Sequence, residues 1–131
     1  MEIYKPIDIE DAVRAALVNH VTAYCRPLPE NYTLPNILVT ATGGSEEADW
    51  NGTDIADTFT VNLTCRGENE ASALDCLRTA VGVLKASQGI PLRRVRLNSQ
   101  YSWGSDPRRP DLAMCGATLL VTAAPEKITI T

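Results

Sequence analysis

The side chains able to do chemistry are few and scattered. His20 is the only histidine, and it falls between Leu17 and Val21 on or near an apolar helical stripe, where a packed or boundary role is expected. A general base works only with a nucleophile and an orienting group within hydrogen-bond reach. No such companion lies near His20 in sequence. Cys25, Cys65, Cys76 and Cys115 are far apart, with no C-x-x-C pair and no neighbouring histidine. A metal site would need soft ligands clustered at short spacing, so the four are expected to be reduced thiols that pack as small hydrophobes. The acids between residues 46 and 57 do not follow the alternate oxygens and final bidentate glutamate of a calcium loop. Gly43-Gly44 lacks the lysine and helix start of a phosphate-cradling loop. No catalytic, cofactor-binding or metal-binding residue is assigned from these patterns, and no turnover of esters, phosphates or glycosides is expected.

Charge is distributed more informatively than chemistry. Residues 43–57 carry Glu46, Glu47, Asp49, Asp54 and Asp57 and no basic residue, a local charge of −5. Residues 91–110 carry Arg93, Arg94, Arg96, Arg108 and Arg109 against Asp106, a local charge of +4. Opposite patches on one small domain allow copies to dock head to tail, and a repeated heterologous contact closes a ring when the rotation permits it. Such complementarity sets register and encounter rate more than affinity. Trp50 and Trp103, one within each patch, are the expected apolar anchors. An arginine-bearing strand could alternatively meet phosphates of a nucleic acid.

These residues must be held by a framework, and its elements are legible in the pattern. Asp8 suits a helix N-cap with Glu10 and Asp11 in the first turn. Ile9, Ala12, Val13, Ala16, Leu17, Val21 and Tyr24 follow at helical spacing, predicting about four turns. Residues 26–36 read as an irregular proline-rich loop. Residues 37–42 predict a strand closed by Gly43-Gly44, followed by a long acidic excursion tipped by the Asn51-Gly52 reversal. Phe59, Val61, Leu63 and Cys65 alternate with Thr58, Thr60, Asn62 and Thr64, predicting a strand with one buried face. Asn69 and Glu70 open a second helix with an inward stripe of Ala73, Leu74, Leu77, Ala80, Val81 and Leu84, and Gly89 supplies its left-handed stop. Val95, Leu97, Tyr101 and Trp103 alternate along a third strand. A polar loop over 104–110 then leads to a fourth strand over 112–123.

The order helix, strand, strand, helix, strand, strand predicts an α+β domain whose antiparallel sheet carries both helices on one face. At 131 residues, with 44% hydrophobic and 21% charged side chains, the chain has the size and composition of one folded domain. Its core is expected over about residues 8–123, with Val13, Phe59, Val61, Leu63, Leu74, Leu77 and Val81 inside and a short tail over 124–131. A net charge of −4 argues against a general nucleic-acid coat while leaving room for a local basic patch. Apolar runs fall far short of the ~20 residues that span a bilayer. With no basic segment leading into an apolar run at the start, no signal peptide is visible, so an intracellular start and no membrane partner are expected.

With these segments in place, the chain resembles the small phage minor capsid and tail-terminator proteins of the head–tail junction. The resemblance lies in Gly43-Gly44 with the Trp50-Asn51-Gly52-Thr53 tip, then Phe59-Thr60-Val61-Asn62-Leu63. It continues through Glu70-Ala71-Ser72-Ala73-Leu74, a helix ending near Leu84 and two closing strands, covering residues 8–123. It implies an α+β fold and self-assembly into a ring, often hexameric, at the end of the tail tube. There the ring stops tail polymerisation and offers a surface to the head connector. The implied partners are further copies of the chain, the tail tube protein and the head–tail connector protein, with DNA nearby. The implied location is the virion, assembled in the bacterial cytoplasm. The rival expectations are a small non-catalytic ligand-binding or regulatory domain, and an enzyme whose site forms between subunits.

Overall fold

Caps and turns divide the chain as the hydrophobic pattern requires, with three departures. The computed structural model describes residues 1–48, 55–89 and 91–130, and side chains at 44–48, 55 and 100 are outside that description. Strand β1 (Glu2–Lys5) precedes helix α1 (Ile9–Leu17), strands β2 (Ala23–Cys25), β3 (Asn36–Ala48) and β4 (Ile55–Gly67), and helix α2 (Glu70–Ala86). Strands β5 (Leu92–Asp106), β6 (Arg109–Ala123) and β7 (Glu126–Thr129) complete the order. The result is a small α+β domain with a mostly antiparallel sheet.

Both helices start on the caps read from sequence. The Asp8 carboxylate accepts from the Asp11 N–H at 3.2 Å, and the Asn69 side chain accepts from the Ser72 N–H at 2.8 Å. Each satisfies an amide that the first turn leaves without a partner. Ile9, Val13 and Leu17 are buried along α1. Ala73, Cys76, Leu77, Ala80, Val81 and Leu84 are buried along α2. Leu74 sits one position round from that stripe and is only half-buried, so it leaves the expected core list. Ser87 caps α2 through its N–H to Leu84 and Val83 carbonyls, and Gly89 follows with φ +156°.

The sheet runs β2-β3-β4-β6-β5, with β2 parallel to β3 and the other pairs antiparallel. Its inner face brings Ile37 and Val39, Val61, Leu63 and Cys65, and Cys115, Ala117, Leu119 and Val121 against the two helices. Phe59 packs against this cluster while partly exposed. On the other face Thr58 and Thr122 share a hydroxyl hydrogen bond of 3.0 Å, and the Thr118 hydroxyl donates to Asn62 at 3.0 Å. Gly67 ends β4 where the chain must turn under α2: a Cβ there would stand 2.7 Å from the Ala73 nitrogen.

The first departure is the length of α1. It stops at Leu17, and Val21 and Tyr24, expected on its stripe, lie beyond it. Ala23, Tyr24 and Cys25 instead pair with Ile37, Leu38 and Val39. Of these three only Tyr24 has a side chain that favours a pleated surface, and pairing the run covers the backbone of β3 that a longer helix would leave as an open edge. The second departure is at Gly43-Gly44, which do not close the strand. The register slips between Ala41 and Gly43, where Gly43 takes φ +137°, and β3 then runs on to Ala48. A glycine absorbs that bulge without the penalty that a Cβ would bring. The third is at both ends of the last hairpin. Most of the expected 104–110 loop is strand, with only Pro107 and Arg108 turning, because proline presets the turn and Asp106 accepts from the Arg108 N–H at 3.0 Å. The expected tail contains β7, which pairs with β1.

Candidate functional site

The residues singled out for chemistry do not form a reacting constellation. His20, expected in a packed or boundary role, is exposed in the turn after α1, which corrects the packed alternative, since the helix that would have buried it has already ended. It lines a cavity of about 310 Å³ with Ser72, Asp75, Cys76 and Thr79 of α2. Among the described residues no hydrogen bond joins His20 to Asp75 or Cys76. Cys65, Cys76 and Cys115 are buried free thiols and Cys25 is a half-buried one. A hydrogen bond with Cys76 and burial push the Cys65 thiol well above its ordinary range, and burial pushes Cys115 and Cys25 up. Thiols held protonated in this way are poor nucleophiles. Among the described residues no group of histidine, cysteine and acidic side chains is arranged to hold a metal ion. Among the described residues no helix is long and apolar enough to cross a membrane.

The sheet carries charged residues at both of its ends. Strand β4 sets the scale: Asp57 pairs with Ala123 near one end, and Arg66 pairs with Met114 near the other. At ~3.3 Å per residue the two positions stand about 30 Å apart. Glu46 lies in register opposite Asp57, and Glu47 opposite Ala56, so the β3–β4 hairpin concentrates acid at the first pole. Asp49, Trp50 and Asp54 lie outside the described residues.

The expected arginine patch is not one patch. Strand β5 pairs Leu92 with Ala123, Arg94 with Thr122 and Arg96 with Leu120. Arg94 and Arg96 are therefore exposed at the same pole as Asp57, with only β6 between their strand and β4. Arg93, in the same stretch, already has an interaction within the molecule. Arg108 and Arg109 stand at the opposite pole, where β5 turns into β6. Linear sequence had grouped these arginines because a long strand carries one pair from end to end. Trp103 pairs with Cys115 toward the second pole and is 50% exposed, while neighbouring Tyr101 is 37% exposed.

Sequence reasoning missed the residue that organises the second pole. The Arg66 Nε donates to Asp106 at 3.2 Å, and both side chains are mostly buried. The Arg66 Nη1 is buried with no hydrogen-bond partner. Asp106 is held below its ordinary 3.8 first by the Arg108 N–H and then, against a desolvation penalty, by Arg66. Arg109 makes a two-point bond to Asp111 at 3.1 and 3.0 Å. Around these groups is a cavity of about 380 Å³, walled also by Pro29, Glu30 and Tyr32 of the β2–β3 loop. The only sequence signal for Arg66 was its place on the solvent-facing step of the alternating strand, directly after Cys65.

Strand β5 is a sheet edge, and its pairing with β6 is irregular after Leu92, after Leu97, after Ser99 and after Gly104. Such shifts twist an edge away from regular pairing with another strand. The poles are thus better suited to end-on contact than the edge is to sheet extension. Comparison with protein-family models and with curated protein sequences finds no match.

Proposed function

We propose that this chain is a non-enzymatic virion subunit that docks head to tail into a ring at the phage head–tail junction. In that role it caps the tail tube as a terminator or minor capsid protein and presents a surface to the head connector. The observation that carries the reading is that the two ends of the sheet, about 30 Å apart along β4, differ: Glu46 and Asp57 in register beside Arg94 and Arg96 at one, and the ion-paired cluster of Arg66, Asp106, Arg108, Arg109 and Asp111 at the other. A pair of different ends makes a heterologous contact, and rotation between successive copies closes it. Exposed Trp103 and Tyr101 near the arginine pole offer apolar area. That area matters because exposed ion pairs contribute only ~0–1 kcal/mol each. The resemblance read from the sequence is the other support for this reading.

The test removes the gene from the phage or prophage that carries it and examines the particles by negative-stain electron microscopy. Unjoined heads and tails of irregular length, restored by supplying the protein in trans, are expected. Normally joined particles with tails of uniform length would refute the role.

A further inference from the structure

Ser72, Asp75, Cys76 and Thr79 recur at steps of three and four along α2, so they share one face of the helix. That face borders the cavity of about 310 Å³, which is bounded on its other side by the turn after α1 and by Leu34-Pro35. Among the described residues Cys76 is the one cysteine in the cavity wall. It is 5% exposed, and behind it Cys65 lies fully buried on β4. The two thiols share a hydrogen bond across the packing of α2 on β4. Donation by Cys65 holds the Cys76 thiol below its ordinary range, against burial and the charge of Asp75, whereas Cys65 is pushed up. Burial pushes Cys25 and Cys115 up as well. The thiolate is the attacking form in thiol–disulfide exchange. One thiol of the pair therefore meets an opening and ionises more readily, while its partner is sealed behind it.

We infer that Cys76 and Cys65 are a redox-active dithiol: Cys76 captures a small disulfide that enters the cavity, and Cys65 resolves the adduct into a bridge between α2 and β4. A cavity of about 310 Å³ lies at the small end of ligand pockets, which suits a low-molecular-weight disulfide and not a protein partner. The Cys76 thiolate attacks one sulfur of the incoming disulfide, forming a mixed disulfide and releasing a thiolate that takes up the proton Cys76 lost. Cys65 then attacks the Cys76 sulfur, its proton passes to the departing sulfur, and the second thiol leaves. Two protein thiols are oxidised to one disulfide, and the incoming disulfide is reduced to two thiols. The last step moves sulfurs already within hydrogen-bond reach to the ~2.05 Å of a disulfide. Cys65 is the resolving thiol because the hydrogen bond joins it to Cys76, whereas Cys115 faces Cys65 across the sheet as its strand partner.

The experiment treats the native full-length chain with cystamine, quenches with acid at intervals and maps the sulfur linkages by peptide mass spectrometry. In the wild type a cysteamine adduct is expected first on Cys76, decaying as a Cys65–Cys76 bridge forms, with Cys25 modified about tenfold more slowly. Cys65→Ala should hold the adduct on Cys76 without resolving it, and Cys76→Ser should form no bridge. Cys25 consumed first, with Cys65 and Cys76 still free, would overturn the assignment. So would an adduct that persists on wild-type Cys76, or a bridge from Cys76 to Cys115. If Cys65→Ala does not fold, the order of adduct and bridge in the wild type decides the matter alone.

Discussion

At the scale of single residues, the apolar positions follow from periodicity and the polar partnerships do not. Leu77 is fully buried beneath the sheet, whereas Leu74, three residues earlier on the same helix, is only half-buried. The stripe read from sequence was one position too wide because a 100° step separates Leu74 from Ala73, and hydrophobicity alone does not mark where a stripe ends. Leu77→Ala is expected to lower unfolding free energy by about 2–5 kcal/mol, the cost of a core cavity. Leu74→Ala should cost far less. Chemical denaturation of both variants checks this, and equal losses would mean that α2 is rotated relative to the sheet. The Arg66–Asp106 pair was beyond such reading, since its members lie on strands joined only through tertiary pairing. The packed alternative for His20 failed for a related reason: its burial depended on a helix that the chain abandons at Leu17.

At the scale of elements, helix caps and the alternating β4 were legible because each is encoded by neighbours a few residues apart. Helix α1 was overextended because Val21 and Tyr24 fit a helical period while the competing parallel partner, β3, lies more than ten residues downstream. The contact that fixes α1 against β3 was also hidden. Glu10 accepts from Arg26 and, at 2.9 Å, from the Ala41 N–H beside the bulge. The Arg26 hydrogen bond outweighs burial and holds the Glu10 carboxyl below its ordinary 4.5. A carboxyl lowered in the folded state contributes stability above its unfolded pKa and loses it as pH falls through the folded value. Thermal stability should therefore be steady above this range and decline as pH drops below 4.5, with Asp106, also lowered, adding to the loss. Glu10→Gln should melt lower at neutral pH and show a shallower acid decline. An unchanged acid slope in that variant would separate Glu10 from the effect.

At the scale of the whole molecule, the sheet converts a charge pattern spread through sequence into two ends. Part of that conversion was legible, since an acidic hairpin and a basic turn appear as runs. The division of the arginines was not, because β5 is long enough to carry Arg94 and Arg96 to one pole while the following turn holds Arg108 and Arg109 at the other. Separation also decides how the poles act in solution. A distance of ~30 Å is several times the ~8 Å screening length at physiological ionic strength, so the poles do not neutralise each other within a subunit. Charges at each end can meet those of another copy only at short range, in exchange with local partners such as Asp111 on Arg109. Screening should then slow encounter and weaken association only modestly, because exposed pairs contribute little and the apolar contact contributes most. Trp103, half exposed beside a depression of about 160 Å³ bordered by Met114 and Gly116, is positioned to supply that contact. Sedimentation velocity across protein concentration tests the balance. Raising salt from about 0.15 to about 0.5 M should shift the association constant less than tenfold, whereas Trp103→Ala should lower it by on the order of 30-fold, as loss of an aromatic anchor does. The reverse ranking, with salt abolishing association and Trp103→Ala leaving it intact, would mean that charge alone joins the subunits and that the tryptophan faces another partner.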